Sequence, residues 1–265
     1  MFEVPASQVR KIPGGEYDTI VCNGEATLLR DVRCDRLVLG GTLGGPYSLS
    51  AGFIEGHGTL SVRGGIRTNE ASFSGLTILR STLQVAGTLQ TAGYLHCQAN
   101  VIAGAVSIDG NAHAEGTITT GRLRAFAHVD LGRVNATEVS VVFEQKSRIR
   151  SLTGRVISLR RKEFDYLTRL FSSKKELAER SYLVVSEDII GDHILLEYVR
   201  AKSVKGIDVT IGAGCRIEVV YYRDHIYIDE TAWVGRYEPY GEPGQDEENT
   251  PDGAGNAGAP KGGKG

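Results

Sequence analysis

Apolar or small residues recur along the first half of the chain at steps of five to seven, from Ile20, Ala26 and Val32 onward to Val134. Taken three at a time they fall into columns. The first reads Ile20, Leu37, Ile54, Ala71, Leu89, Val106, Leu123. The second reads Ala26, Leu43, Leu60, Ile78, Leu95, Ala112, Val129, and the third Val32, Leu49, Ile66, Leu83, Val101, Ile118, Val134. Each column advances by 16 to 18 residues. This spacing predicts an all-β chain wound into a three-sided parallel solenoid (β-helix) of about 17 residues per turn, because each turn sets like side chains on like positions of its neighbours. One turn cannot bury its inward face alone, so stability must be summed over stacked turns.

Alternation in any β-rich chain offers some alignment of this kind, but not one that persists for more than a hundred residues without helical periodicity. Glycine recurs beside the columns, in Gly41-Thr42-Leu43, Gly58-Thr59-Leu60 and Gly87-Thr88-Leu89, where tight corners are expected to need unusual backbone angles. Val139, Ile149 and Val156 extend the pattern in a register the sequence does not fix.

The pattern breaks at Arg160-Arg161-Lys162. The following EFDYLTRLFSSKKELAERS places Phe164, Leu167, Leu170, Phe171 and Leu177 on one helical face. A single amphipathic helical insert is predicted, lying on the rod to shield it or docking a partner. Its Arg160, Arg161, Lys162, Lys174 and Lys175 are interspersed with Glu163, Asp165, Glu176 and Glu179, which argues against strong attraction to anionic lipid. Alternating strands then resume in SYLVVS, DHILLEYV, Ile207–Ile211, Ile217–Val219 and Ile226–Ile228, giving two or three closing turns. The expected organisation is a flexible segment over 1–16, β-helix over 17–159, insert over 160–181, closing turns over 182–235 and a disordered Gly/Pro-rich tail over 236–265.

Composition agrees with thin walls and a narrow interior. Glycine numbers 34, whereas Trp and Met occur once each and Phe seven times, so the apolar mass is Val, Ile, Leu and Ala. A formal net charge of −2 carries no basic excess that would make nucleic acid a partner. No run of 18 apolar residues occurs, and MFEVPASQVRK lacks the layout of a signal peptide, so a cytoplasmic location is expected. Cys22, Cys34, Cys97 and Cys215 are far apart and form no C-x-x-C pair, which suits reduced, buried thiols.

Catalytic signals fail one by one. His113-Ala114-Glu115 has the H-x-E spacing of zinc deaminases without the P-C-x-x-C that would complete a metal site. Gly40-Gly41-Thr42-Leu43-Gly44-Gly45 is not followed by a Lys-Ser/Thr pair or a helix start, as a phosphate cradle requires. No G-x-S-x-G occurs, and no pair of acids stands out. No enzyme activity, cofactor or metal is expected. Extended carbohydrate binding is disfavoured by the shortage of aromatics.

The phrase GGEYDTIVCNGEATLLRDVRCDRLVLGGTLGG (14–45) and the phrase EDIIGDHILLEYVRAKSVKGIDVTIGAGCRIEVVYYRDHIYID (187–229), with its GDxIxLE and IGxGCxIxxVxY patterns, resemble the bactofilins, polymer-forming cytoskeletal proteins of bacteria, in their longer Gram-positive-type branch. The likeness covers roughly 14–235. It is most specific near the C-terminus and only compositional in the middle, where the Ser-Gly-x-x-x-Ile-x-Gly signatures of that family have decayed. What the resemblance implies is a right-handed β-helix that assembles end to end into nucleotide-independent filaments, as a homopolymer or with a paralogous bactofilin. Such filaments scaffold cell-envelope, cell-shape or motility proteins, at the inner face of the cell membrane in some settings.

Turn ends expose unpaired backbone and the end of an apolar column, so they are the natural polymerisation surfaces. Ile20, Ala26, Leu28 and Val32 are assigned to one end, and Ile226, Ile228 and Trp233 to the other; Phe164, Leu167, Leu170 and Phe171 form the candidate partner-docking face. A solenoid binding or adaptor module that does not polymerise is the alternative. A hexapeptide-type acyltransferase is a further rival, but it needs a histidine base, and His57, His96, His113, His128, His193 and His225 are dispersed. Its left-handed coil also favours strict 18-residue turns.

Overall fold

The computed structural model describes residues 1–163 and 181–241. Within them all regular structure is β: 17 strands paired in parallel wind into a solenoid of about 13 turns with about 17 residues per turn. At about 4.8 Å per rung the rod is roughly 60 Å long. The predicted fold class is therefore the observed one, and it continues well past the seven turns legible at the start of the chain.

Two of the three columns stack as the spacing requires. On the first side Ile20 pairs in register with Leu37, then Ile54, Ala71, Leu89 and Val106. On the third, Val32 is followed by Leu49, Ile66, Leu83 and Val101. Each side holds two inward positions separated by one outward residue, as in Ile20 and Cys22, Leu37 and Leu39, or Val106 and Ile108, all buried. The core is thus a set of doubled columns, half of which the five-to-seven-residue steps pass over. Corners are so open that Val101–Phe143 runs as one unbroken 43-residue strand around the rod.

The second side departs from expectation. Ala26, Leu43 and Leu60 stack, but Leu60 then meets Leu79, and Ile78 lies beside Thr59 on the outer row. Extra residues around Gly75 absorb the slip, so Thr77 and Leu79 point inward and Ile78 is only half-buried.

Backbone at the corners is crowded by the rung before it. Gly56 (φ +115°) would set a Cβ 1.9 Å from the Leu39 carbonyl oxygen, so only glycine fits. Its missing side chain also makes room in the column Leu39, Gly56, Phe73, Thr91, where Phe73 is buried. Of the three glycines expected to need unusual angles, only Gly58 does (φ +128°). Gly41 serves close approach instead, since a Cβ there would lie 2.1 Å from the Gly24 carbonyl oxygen.

Three domain boundaries are corrected. Residues 1–16, expected to be flexible, contain the strands Phe2–Val4 and Val9–Ile12, which form the first rung with Val4 and Ile12 fully buried. Arg160 and Arg161 still belong to the strand Val156–Arg161, and the strand Trp233–Pro239 runs past the expected boundary at 235. The helical face of Phe164, Leu167, Leu170 and Phe171 lies outside the described residues. The rod resumes directly after that segment: Leu183 pairs with Ser147, and the Ser147 N–H donates to the Tyr182 carbonyl at 3.0 Å. On the second side Leu183, Val199, Arg216 and Trp233 open four successive strands, against the two or three turns expected.

Candidate functional site

A parallel solenoid has two ends, and here they differ. At the N-terminal end Phe2 pairs with Ile20, Arg10 with Ala26, Ile12 with Leu28 and Gly15 with Val32. Ile20, Ala26, Leu28 and Val32 therefore lie one rung below the surface assigned to them and are buried. The error follows from reading 1–16 as flexible. The terminal side chains are instead Phe2 and Tyr17, whose rings meet edge to face at 5.7 Å, with the Tyr17 hydroxyl donating to the Pro13 carbonyl at 2.9 Å. Behind this pair the inward Val4 and Ile12 have no exposed surface.

At the C-terminal end Ile226 stacks on Val209 and Ile228 on Ile211, and among the described residues no strand pairs beyond them. Both are half-buried although they point inward. Trp233 lies on Arg216, its ring 5.1 Å from the guanidinium, and is half-exposed. Val234 and Ala232 are half-buried, while Tyr227 and Tyr237 are exposed. The three residues assigned to this end from the sequence are thus at the described edge of the coil.

Along the sides, outward residues form ladders at the rung spacing. His96 stacks on His113 at 5.0 Å, and His113 Nδ1 lies 3.3 Å from Asp130. Near the C-terminal end Asp208 sits between two histidines of adjoining rungs, His193 Nδ1 at 2.8 Å and His225 Nδ1 at 2.9 Å. Hydrogen bonds from His225, then His193, hold the Asp208 carboxyl below the usual aspartate range. In sequence these histidines stand singly. The signal available was the near-rung separation of His193, Asp208 and His225.

Chemistry needs convergence of reactive side chains. Among the described residues no three His, Cys, Asp or Glu side chains converge in a metal-binding arrangement. The recess beside Ser48, Arg63, Arg67 and Gln84 joins no acid to a base. All four cysteines are buried, and burial pushes the thiols of Cys22, Cys34 and Cys97 up to about 11 and that of Cys215 to about 12. Thiolate nucleophiles are therefore suppressed at neutral pH. No helix among the described residues is long and apolar enough to cross a membrane. Neither family models, nor curated protein sequences, nor solved structures give a match to this chain.

Proposed function

We propose that the protein is a bactofilin-like structural protein that assembles end to end into filaments without nucleotide and serves as a cytoplasmic scaffold for cell-envelope, cell-shape or motility proteins. The observation that carries this reading is the C-terminal edge, where Ile226 and Ile228 end an apolar column half-covered and Trp233, on another side of the coil, is exposed. An unpaired strand edge with an apolar row behind it is a template for another chain. A repeated end contact grows without limit unless its symmetry closes. The N-terminal contact surface in this reading moves from Ile20, Ala26, Leu28 and Val32 to Phe2, Val9 and Tyr17. Self-association, alone or with a paralogue, makes the filament; the long sides stay free for partners.

Electron microscopy of the purified protein without nucleotide tests the reading directly. Filaments that vanish in an Ile228→Lys variant of unchanged melting temperature are expected. Monomers alone at high concentration would overturn it in favour of a non-polymerising solenoid adaptor.

A further inference from the structure

Although the chain is nearly neutral, six cations gather on one side near the C-terminal end of the rod. On the second side, past the rung of Ser147, the outward row reads Arg148, Val184, Arg200, Arg216, Trp233 in successive strand pairings. The neighbouring outward positions add Lys146, Arg150 and Lys202, with Glu218 aligned beside Lys202. All six cations are exposed. Among the described residues none of the six forms an ion pair, in contrast to Arg36 with Glu55, Arg122 with Glu138 and Lys162 with Glu144. They touch rings instead: Tyr182 has the Arg200 guanidinium 3.7 Å from its centre and the Lys146 ammonium at 5.5 Å, and Arg216 lies over Trp233. A cation on a ring face keeps its full charge while its direction is fixed, so the row stays positive and ordered.

Opposite charge is carried by the same chain. Past Gly241 the sequence reads EPGQDEENTPD (242–252), which holds the carboxylates of Glu242, Asp246, Glu247, Glu248 and Asp252 and no cation before Lys261. The chain leaves the rod at the end where the basic row stands, because Trp233–Pro239 is the last described strand and Trp233 is the last member of the row. One turn takes about 17 residues, so the length of chain that passes once around the coil from Trp233 ends near Thr250, among these carboxylates. Fully extended, Asp246 to Asp252 spans roughly 20 Å, and the four rung steps from Trp233 back to Arg148 span roughly 19 Å.

We propose that the acidic segment 242–252 docks on the basic row of its own chain and screens it. Charge complementarity and reach both select this occupant. A tether of so few residues holds the segment at a local concentration on the order of millimolar, so exposed ion pairs that are weak one by one suffice to keep it on the row. Any anionic partner of the row must then displace the segment, which sets a threshold for engagement. The contact is electrostatic and exposed, hence salt-sensitive. The inference stands whether or not the protein polymerises.

Crosslinking of the full chain with a water-soluble carbodiimide, which joins a carboxylate only to an amine it touches, tests this when the linked peptides are read by mass spectrometry. At low salt Lys202 and Lys146 link to carboxylates of 242–252 at least about tenfold more than does Lys11, an exposed lysine on the same side at the far end of the rod. The links fade in about 1 M salt, where the Debye length is about 3 Å. In an equal mixture of unlabelled and nitrogen-15-labelled chains, linked pairs are all light or all heavy. The variant R148Q/R150Q, which keeps both reporter lysines, loses about threefold in yield for each cation removed, roughly tenfold in all. The variant R33Q/R67Q, with the same change in net charge on the third side, links as wild type does. Circular dichroism confirms that both variants, altered only at exposed positions, are folded. Equal yields at Lys202 and Lys11 overturn the proposal, as does equal loss in the two variants. Light–heavy pairs as frequent as uniform ones overturn it in favour of the segment of a neighbouring copy.

Discussion

Leu60 stacks on Leu79, nineteen residues further along the chain, although the flanking sides step from Ile54 to Ala71 and from Leu49 to Ile66 in seventeen. The two extra residues turn Thr77 inward and Ile78 outward. Thr77 is fully buried, and its hydroxyl has no hydrogen-bond partner, unlike Thr68, whose hydroxyl donates to the Glu70 carbonyl at 2.8 Å. An orphaned buried hydroxyl costs about 1–3 kcal/mol. Thr77→Val is therefore expected to raise unfolding free energy by about 1 kcal/mol, and Ile78→Thr to change it by under about 1 kcal/mol, both read by chemical denaturation.

Glycine is required where a rung's backbone touches the next. Gly56→Ala adds a Cβ 1.9 Å from the Leu39 carbonyl oxygen at a positive φ and is expected to cost at least about 2 kcal/mol. Gly44→Ala, whose nearest neighbour would be the Ser61 carbonyl oxygen at 3.3 Å, should cost distinctly less. Paired thermal melts distinguish crowding from the general cost of altering a strand.

The ends give opposite responses to the same substitution. Ile20→Lys places an ammonium inside the second rung, where the side chain has no exposed surface, and should destabilise the fold by about 3 kcal/mol or more. Ile228→Lys lies at the described edge and should leave the melting temperature within a few degrees while abolishing assembly. Equal melting losses in both variants would contradict the placement of Ile228.

Asp208 links stability to pH. Its folded-state pKa is depressed by the bonds from His225 and His193. Its contribution is therefore present above the ordinary aspartate value, about 3.9, and lost as pH falls through the lower folded value. The melting-temperature gap between wild type and Asp208→Asn should persist from neutral pH to about pH 4 and close below it. A gap that stayed fully open well below the ordinary aspartate range would contradict the assigned direction.

Thiol chemistry should be silent in the folded state. With all four cysteines buried and their pKa values near 11 to 12, a disulfide reagent at pH 8 should label no more than traces of native protein and four thiols after denaturation.

Much of this architecture was legible in the residues. The coil, its three sides and its pitch follow from the spacing of Ile20, Leu37, Ile54 and their counterparts, because stacking in a parallel solenoid is a local rule repeated. Trp233, Ile226 and Ile228 were placed at an end by the fading of that repeat. What the sequence could not carry was anything outside the period. Phe2, Val4 and Ile12 build a rung out of a segment too short and too polar to show alternation, and that rung buries Ile20 and Leu28. Thr77 replaces Ile78 inside because register after a corner is set by the strand below, not by hydrophobicity. The basic face of Arg148, Arg200 and Arg216, and the bridge of His193, Asp208 and His225, exist only once the winding brings residues 15 to 52 positions apart onto rungs one or two apart. Periodicity determines which residues face in, whereas the count of residues in each turn, resolved only in three dimensions, decides which outward side chains meet.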